Sequence, residues 1–300
     1  MRKGIDMSNP TYVLGSSPRE LSRLSLQAQM IGPITERLLL RLGIKEGSRV
    51  LDLGCGAGDV SMLTAEMVGP TGSVVGIDQS AAAIDKAEGR VRARGYQQIS
   101  FCVSSVEEFS SDELFDVVIG RYMLIHQESP SDFLRAARRH VRPGGVIAFH
   151  EVSCHIELSS LPSAPLFQRM AKLLRMAAGA FPSYDAAGRL LEHFRMADLP
   201  HPELFAELPV GGGVDSPLYA WMAETIGTLT PLLVKQGVVS AEEISIDTLE
   251  ERLRSQVVKM KSQLVGHPQV CAWARLPRSR DNDSGERDQT GVTQSNLAYA

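Results

Sequence analysis

The densest chemistry in the chain lies in Val50-Leu51-Asp52-Leu53-Gly54-Cys55-Gly56-Ala57-Gly58-Asp59. An apolar run leads into three alternating glycines, and a helical pattern follows. Glycines there let the backbone turn tightly and let a ligand come close. Asp78 ends a second apolar run, where an acid accepts hydrogen bonds from a ribose diol. Two cofactors use this layout. A dinucleotide pyrophosphate rests on a helix N-terminus behind G-x-G-x-x-G. Here the last glycine comes one residue early, and Asp59 stands where a carboxylate would repel a pyrophosphate. Asp52 adds a second negative charge. The pattern suits a cation better, and S-adenosylmethionine carries a sulfonium and an ammonium.

These residues need a scaffold. Strand patterns fall at 49–53, 73–77, 99–103, 114–120 and 146–152. Helical patterns separate them at 59–67, 79–94 and 131–141, the last cut by Pro143-Gly144-Gly145. Strand and helix in alternation predict a parallel sheet with right-handed crossovers. Two further strands are expected at 205–210 and 270–275. The expected fold is α/β: a Rossmann-like, seven-stranded, mostly parallel sheet with helices on both faces. Residues 45–155 would form the cofactor-binding core. Before it, 1–16 reads as a flexible N-terminus and 17–44 as a helical lid, two helices split near Gly32-Pro33. After it, 156–276 would complete the core and add helical lid insertions at about 156–180 and 214–264. The tail 277–300 has few apolar residues and is expected to be disordered.

Residues 50–58 resemble the first motif of class I S-adenosylmethionine-dependent methyltransferases. Gly76-Ile77-Asp78-Gln79-Ser80 resembles the second, and Ser104-Ser105-Val106-Glu107 stands at the adenine-side loop. Phe115–Arg121 matches the fourth-strand motif, and 134–145 matches the helix and turn before the fifth strand. The resemblance covers about 45–152 and is closest to the small-molecule branch, which methylates quinone precursors and natural products. Residues 12–29 resemble enzymes whose N-terminal helix closes over the cofactor. The resemblance implies S-adenosylmethionine as cofactor and S-adenosylhomocysteine as product. It implies that Gly54, Gly56 and Gly58 line the methionine and ribose, with Asp52 near the amino group. Asp78 would hold the ribose hydroxyls, with Gln79 beside the adenine and Ser105, Val106 and Glu107 at its edge. Many relatives carry Asp where Ser105 stands. Arg121 would face the methionine end.

Methyl transfer is an in-line displacement at a sulfonium carbon, so positioning in a dry pocket lowers the barrier. A base is needed only when the acceptor must lose a proton. Candidates follow the fourth and fifth strands, where open α/β sheets bind ligands: Tyr122, His126, Gln127, His150, Glu151 and His155. An imidazole titrates near neutral pH, so His126 can serve as a base. His150 and Glu151 point to opposite sides of a strand, and Glu151 is expected in the cleft. Carbon methylation would use Glu151 or an aromatic face to stabilise a cation. Oxygen methylation would favour His126. O-, N- and C-methylation stay open. Tyr12 would seal the cofactor, its hydroxyl near the transferring methyl. The insertions are rich in Leu and Met, including Met170, Leu174, Trp221 and Met222. If they line the pocket, the acceptor is largely apolar: a polyketide, prenylated aromatic, quinone or terpenoid. Met170 and Trp221 would then join Tyr122, His126 and Glu151 in binding it. Two alternatives are a non-catalytic cofactor-binding member of the fold and a nicotinamide-dependent oxidoreductase.

Composition bounds these readings. The 300 residues carry 31 Lys+Arg against 35 Asp+Glu, a net charge of −4. That mild acidity argues against a general nucleic-acid binder. The strand motif Gly120-Arg121-Tyr122-Met123 also lacks the Asn/Asp-Pro-Pro-Tyr of amino-methylating DNA enzymes. No apolar run approaches the roughly 20 residues of a membrane-spanning helix, and MRKGIDMSNP has no signal-like apolar region. Four dispersed cysteines without a CxxC read as free thiols of a cytoplasmic protein, with no metal site. Exposed helical insertions suit a homodimer or larger homo-oligomer.

Overall fold

The computed structural model describes residues 18–278. Tyr12, the 1–16 segment and the tail beyond 278 lie outside the described residues. In chain order the elements are α1 (Pro18–Arg41), β1 (Arg49–Leu53), α2 (Asp59–Val68), β2 (Ser73–Asp78), α3 (Ala81–Arg94), β3 (Ile99–Val103), β4 (Phe115–Arg121), α4 (Pro130–Arg138) and β5 (Val141–Val152). They continue as β6 (Ser159–Leu161), α5 (Pro165–Ala178), α6 (Leu190–Met196), β7 (Glu203–Glu207), β8 (Val210–Gly211), α7 (Leu218–Lys235), α8 (Ala241–Ile244), α9 (Ile246–Met260), β9 (Gln263–Val265) and β10 (Gln269–Arg275). Among the described residues no helix is long and apolar enough to cross a membrane.

The main sheet has seven strands in the order β3-β2-β1-β4-β5-β10-β7. All pairs are parallel except those of β10, which runs antiparallel to β5 and β7. This is the Rossmann-like arrangement that the alternating pattern predicts. Successive strand residues face opposite sides. Leu51, Leu53, Val118 and Phe149 therefore pack on one face with α4 and α6. Val50, Val117, Ile119 and Ala148 pack on the other with α1 and α2. The register sets β4 against the ends of β1 and β5, pairing Gly120 with Leu53 and Arg121 with His150. Local chemistry marks the helix starts. The Ser80 hydroxyl accepts from Ala83 N, and Ser129 accepts from Asp132 N ahead of Pro130.

Three expectations need correction. The segment before β1 is one helix, with Pro33 inside it. Proline removes one helical hydrogen bond. Burial of Ile31, Ile34, Leu38 and Leu39 against the body holds the helix together across that gap. Next, Pro143-Gly144-Gly145 does not precede the fifth strand but bulges within it: Phe115 pairs with Val141, and Val117 with Val146. Finally, a second sheet, β6-β9-β8, stands where the sequence reads as helix or as a continuation of β7. Its strands of two or three residues are too short to show an alternating pattern.

The stretches 156–180 and 214–264 share a core of their own. Phe167, Met170, Tyr219, Met222, Leu249 and Leu253 are buried there, with Met30 of α1 packed against them.

Candidate active site

The C-terminal ends of β1, β2, β4 and β5 open onto a cavity of about 1150 Å³. One wall is backbone. Gly54 and Gly56 turn the chain from β1 toward α2 with φ of +62° and +53°, the left-handed region that side chains rarely adopt. A Cβ on Gly56 would meet nothing within 4 Å, so the loop faces open volume. The Asp78 carboxylate steadies it, accepting from Gly56 N at 3.0 Å and Ser80 N at 2.8 Å. Burial raises the Asp78 pKa against the pull of these two amides. Each of its oxygens keeps a further lone pair for a ligand hydroxyl. Gln79, Ser104, Val106 and Glu107 continue this wall.

Several expected ligand contacts fall elsewhere. Gly58 does not line the cavity. Its Cβ would come within 3.1 Å of Phe101 and 3.3 Å of Ala87, so the glycine serves close packing of α2 against its neighbours. Asp52 lies buried beneath the loop, accepting from Ser61 Oγ at 2.6 Å. Burial pushes its pKa up to about 7, opposed by Ser61 and by the charge of Arg121. Ser105 turns away from the cavity, its hydroxyl accepting from Glu108 N at 3.2 Å. Asp59 lines the cavity, yet its charge is not bare. Arg90 Nη2 pairs with it at 2.7 Å, and Arg90 Nη1 donates to Ala57 O at 2.5 Å. Repulsion by Asp59 thus weighs less against a pyrophosphate than the sequence suggests.

The opposite wall is side chain. Arg121 ends β4, Tyr122, Met123 and His126 follow it, and Leu174, Leu218, Trp221, Thr225 and Leu229 come from α5 and α7. Gln27 and Met30 of α1 and His267 and Gln269 around β10 complete it. The His126 ring meets Phe181 edge-on at 5.4 Å. Met123 fills the space that a Gly54 side chain would need, which locks the glycine loop against the β4 turn.

Glu151 does not face the cleft. It is fully buried, and its Oε1 accepts from Met123 N at 2.9 Å and Leu124 N at 3.0 Å. Burial raises its pKa to about 8 despite these amides. His150 is buried too, since β5 lies between β4 and β10 and both of its faces are covered. Met170 belongs to the insertion core, and the His155 ring sits 3.2 Å from the Ser153 hydroxyl, away from the cavity. Sequence reasoning missed Thr35, His267 and Gln269. Thr35 had a faint signal, a lone hydroxyl among Ile31, Ile34, Leu38 and Leu39.

Residues 44–194 match the family model described as a methyltransferase domain, half of the chain. This chain belongs to the methyltransferase family. It is similar to the demethylmenaquinone methyltransferase of Bacillus velezensis, 32% identical over 113 residues, 37% of this chain and 48% of that protein. It is also similar to the ubiquinone biosynthesis O-methyltransferase of Aromatoleum aromaticum, 30% identical over 160 residues, 53% of this chain and 66% of that protein. The chain thus spans about half to two thirds of these curated relatives. In fold it resembles the YcgJ protein of Bacillus subtilis, with a TM-score of 0.55 at 12% identity over 82% of this chain and 98% of that one. The family match of this methyltransferase stops at residue 194. The wall built by Leu218, Trp221, Thr225, Leu229, His267 and Gln269 lies outside it.

Proposed function

We propose that this methyltransferase transfers a methyl group from S-adenosylmethionine to a small, largely apolar acceptor. The observation that carries the reading is one cavity with two unlike walls: a backbone and carboxylate cradle around Gly54, Gly56 and Asp78, and an apolar side around Leu174, Trp221 and Leu229. The cradle fits the cofactor. Gly56 opens onto free volume, and Asp78 is anchored yet keeps lone pairs for a diol. Gln79, Val106 and Glu107 would flank the adenine, and Arg121 the methionine end. Asp52 would act at one remove, through Ser61 and the charge of Arg121.

When bound, S-adenosylmethionine supplies an electrophilic methyl carbon on a cationic sulfur. The residues of this chain orient the partners and exclude water. A dry, preformed pocket strengthens positioning, and positioning carries most of the rate. His126 lines the cavity and is the base this reading assigns to acceptors that must lose a proton. The α1, α5 and α7 walls serve as the lid. A quinone-like acceptor agrees with the apolar lining and with the names of the two relatives, and a natural-product acceptor agrees with the lining.

Calorimetric titration with S-adenosylhomocysteine, beside NADH, tests the reading. Micromolar binding of the first is expected. Asp78→Ala should weaken it roughly tenfold to hundredfold, the worth of hydrogen bonds to a charged group. Binding of NADH in its place, or no binding of S-adenosylhomocysteine, overturns the proposal.

A further inference from the structure

The loop after β1 holds three left-handed glycines, Gly54, Gly56 and Gly58, with φ of +62°, +53° and +79°. Glycine enters such conformations at little cost and leaves them as easily. A loop of this kind keeps one shape only if something fastens it. Asp78 does so from one side, through the amide of Gly56. The other fastening comes from α3. Arg90 Nη1 donates to the carbonyl of Ala57 at 2.5 Å, and Arg90 Nη2 meets Asp59 Oδ1 at 2.7 Å. The two contacts grip the chain on either side of Gly58.

Local packing explains the reach. A Cβ on Gly58 would come within 3.3 Å of Ala87, so α3 lies close against the loop there. Ala87 and Arg90 stand three residues apart on α3 and share a helix face. A guanidinium is planar and forked, which suits two acceptors at once. Ala57 and Asp59 line the cavity, whereas Arg90 stands behind them. Both partners of the ion pair are partly buried, so salt screens them less than a surface pair.

Asp59 has a structural use of its own. It lies in the first turn of α2, whose cap residue Gly58 offers no side chain. An acid there offsets the positive helix end. Left bare, the same carboxylate would work against methyl transfer. S-adenosylmethionine differs from S-adenosylhomocysteine by one methyl group and one positive charge. A bare carboxylate on this wall favours the charge that transfer removes from sulfur. It would stabilise the bound cofactor more than the transition state. Arg90 cancels that charge and leaves the acid where α2 needs it.

We infer that Arg90 is a positioning residue for the cofactor: it fixes the glycine loop through Ala57 and, by neutralising Asp59, sets how strongly the cavity prefers the charged cofactor over its neutral product. The inference rests on the methyltransferase reading.

Calorimetry with S-adenosylmethionine and S-adenosylhomocysteine tests this, with urea unfolding as the check on folding. Arg90→Leu should weaken S-adenosylhomocysteine about three- to tenfold, since a loose loop must be ordered on binding. It leaves Asp59 bare, so the preference for the charged ligand should rise roughly three- to tenfold, the effect of one unit charge across a partly buried wall. Asp59→Asn leaves Arg90 bare and its bond to Ala57 intact. The preference should then fall by a similar factor while S-adenosylhomocysteine binds as in wild type. The double variant Arg90→Leu/Asp59→Asn should restore the preference but not the affinity. Arg90→Lys keeps the charge with one contact in place of two, so it should keep the preference and recover part of the affinity. Both shifts should shrink as salt is added. If Arg90→Leu does not fold, the fall in preference in Asp59→Asn decides alone. A preference that stays fixed, or moves in the same direction in both single variants, overturns the inference. Wild-type affinity for S-adenosylhomocysteine in Arg90→Leu does so too. A wild-type protein that binds neither ligand would instead overturn the methyltransferase reading.

Discussion

From residue 49 to 80 the cavity wall is a single stretch of chain, and its working atoms are mostly backbone. The amides of Gly56 and Ser80 and the carboxylate between them lie within one strand-loop-helix-strand unit. Across the cavity, the other wall gathers side chains from α1, the β4 turn, α5, α7 and β10. The first wall depends on turns that glycine allows. The second depends on a core of its own, in which Phe167, Tyr219 and Leu253 hold the helices that present Trp221 and Leu229. A backbone site keeps one ligand shape. A side-chain site can be rebuilt for another without disturbing the first.

If the walls are separable, damage to the insertion core should spare the cofactor. Phe167→Ala empties a fully buried site and should cost about 3–5 kcal/mol of stability in denaturant unfolding. Where the variant is still folded, S-adenosylhomocysteine should bind within about threefold of wild type, as distant sites act independently. A parallel loss of binding would break the comparison.

Glu151 sits at the seam, holding the β4 turn whose Met123 packs against Gly54 of the first wall. Unfolded, its carboxyl releases a proton near 4.5; folded, burial holds the proton up to about 8. The stability it contributes is fully present below the first value and is lost as pH rises toward the second, by up to about 1.4 kcal/mol per pH unit. Asp52, raised to about 7, acts in the same direction. Glu151→Gln keeps an acceptor for the two amides and does not titrate. Its stability relative to wild type should therefore grow between about pH 5 and about pH 8 in urea unfolding. A constant difference would mean that the folded protein carries Glu151 ionised.

The smallest effect on stability should come with a large effect on binding. Gly56→Ala places a Cβ at φ +53° and costs about 1 kcal/mol of folding energy. That methyl enters the volume where the cofactor would lie, so S-adenosylhomocysteine should bind roughly tenfold more weakly or worse. Unchanged binding would place the ligand away from the glycine loop.

The glycine-loop wall was largely legible, because its meaning lies in short spacings: glycines after an apolar strand, and an acid at the end of the next. Even there, side-chain partners were not. Asp59 reads as a bare charge until Arg90, 31 residues on, pairs with it. Gly58 reads as a ligand contact until Phe101 packs against it. The side-chain wall was legible only as helical and apolar. Met170 and Trp221 carry the same helical signal and share one core, yet of the two Trp221 also lines the cavity. The alternation rule sent Glu151 to the cleft. It fails on a strand flanked by β4 and β10 and covered on both faces, where either residue of the pair is buried.

By itself the sequence determined the α/β sheet, the glycine loop and Asp78 at its rim, since local spacing and backbone freedom suffice for these. Tertiary structure alone decided what the side-chain wall offers. Tyr122 and His150 meet Gln269 across 147 and 119 residues of chain. No local pattern can state which side chains meet when their partners are set by the packing of three distant strands.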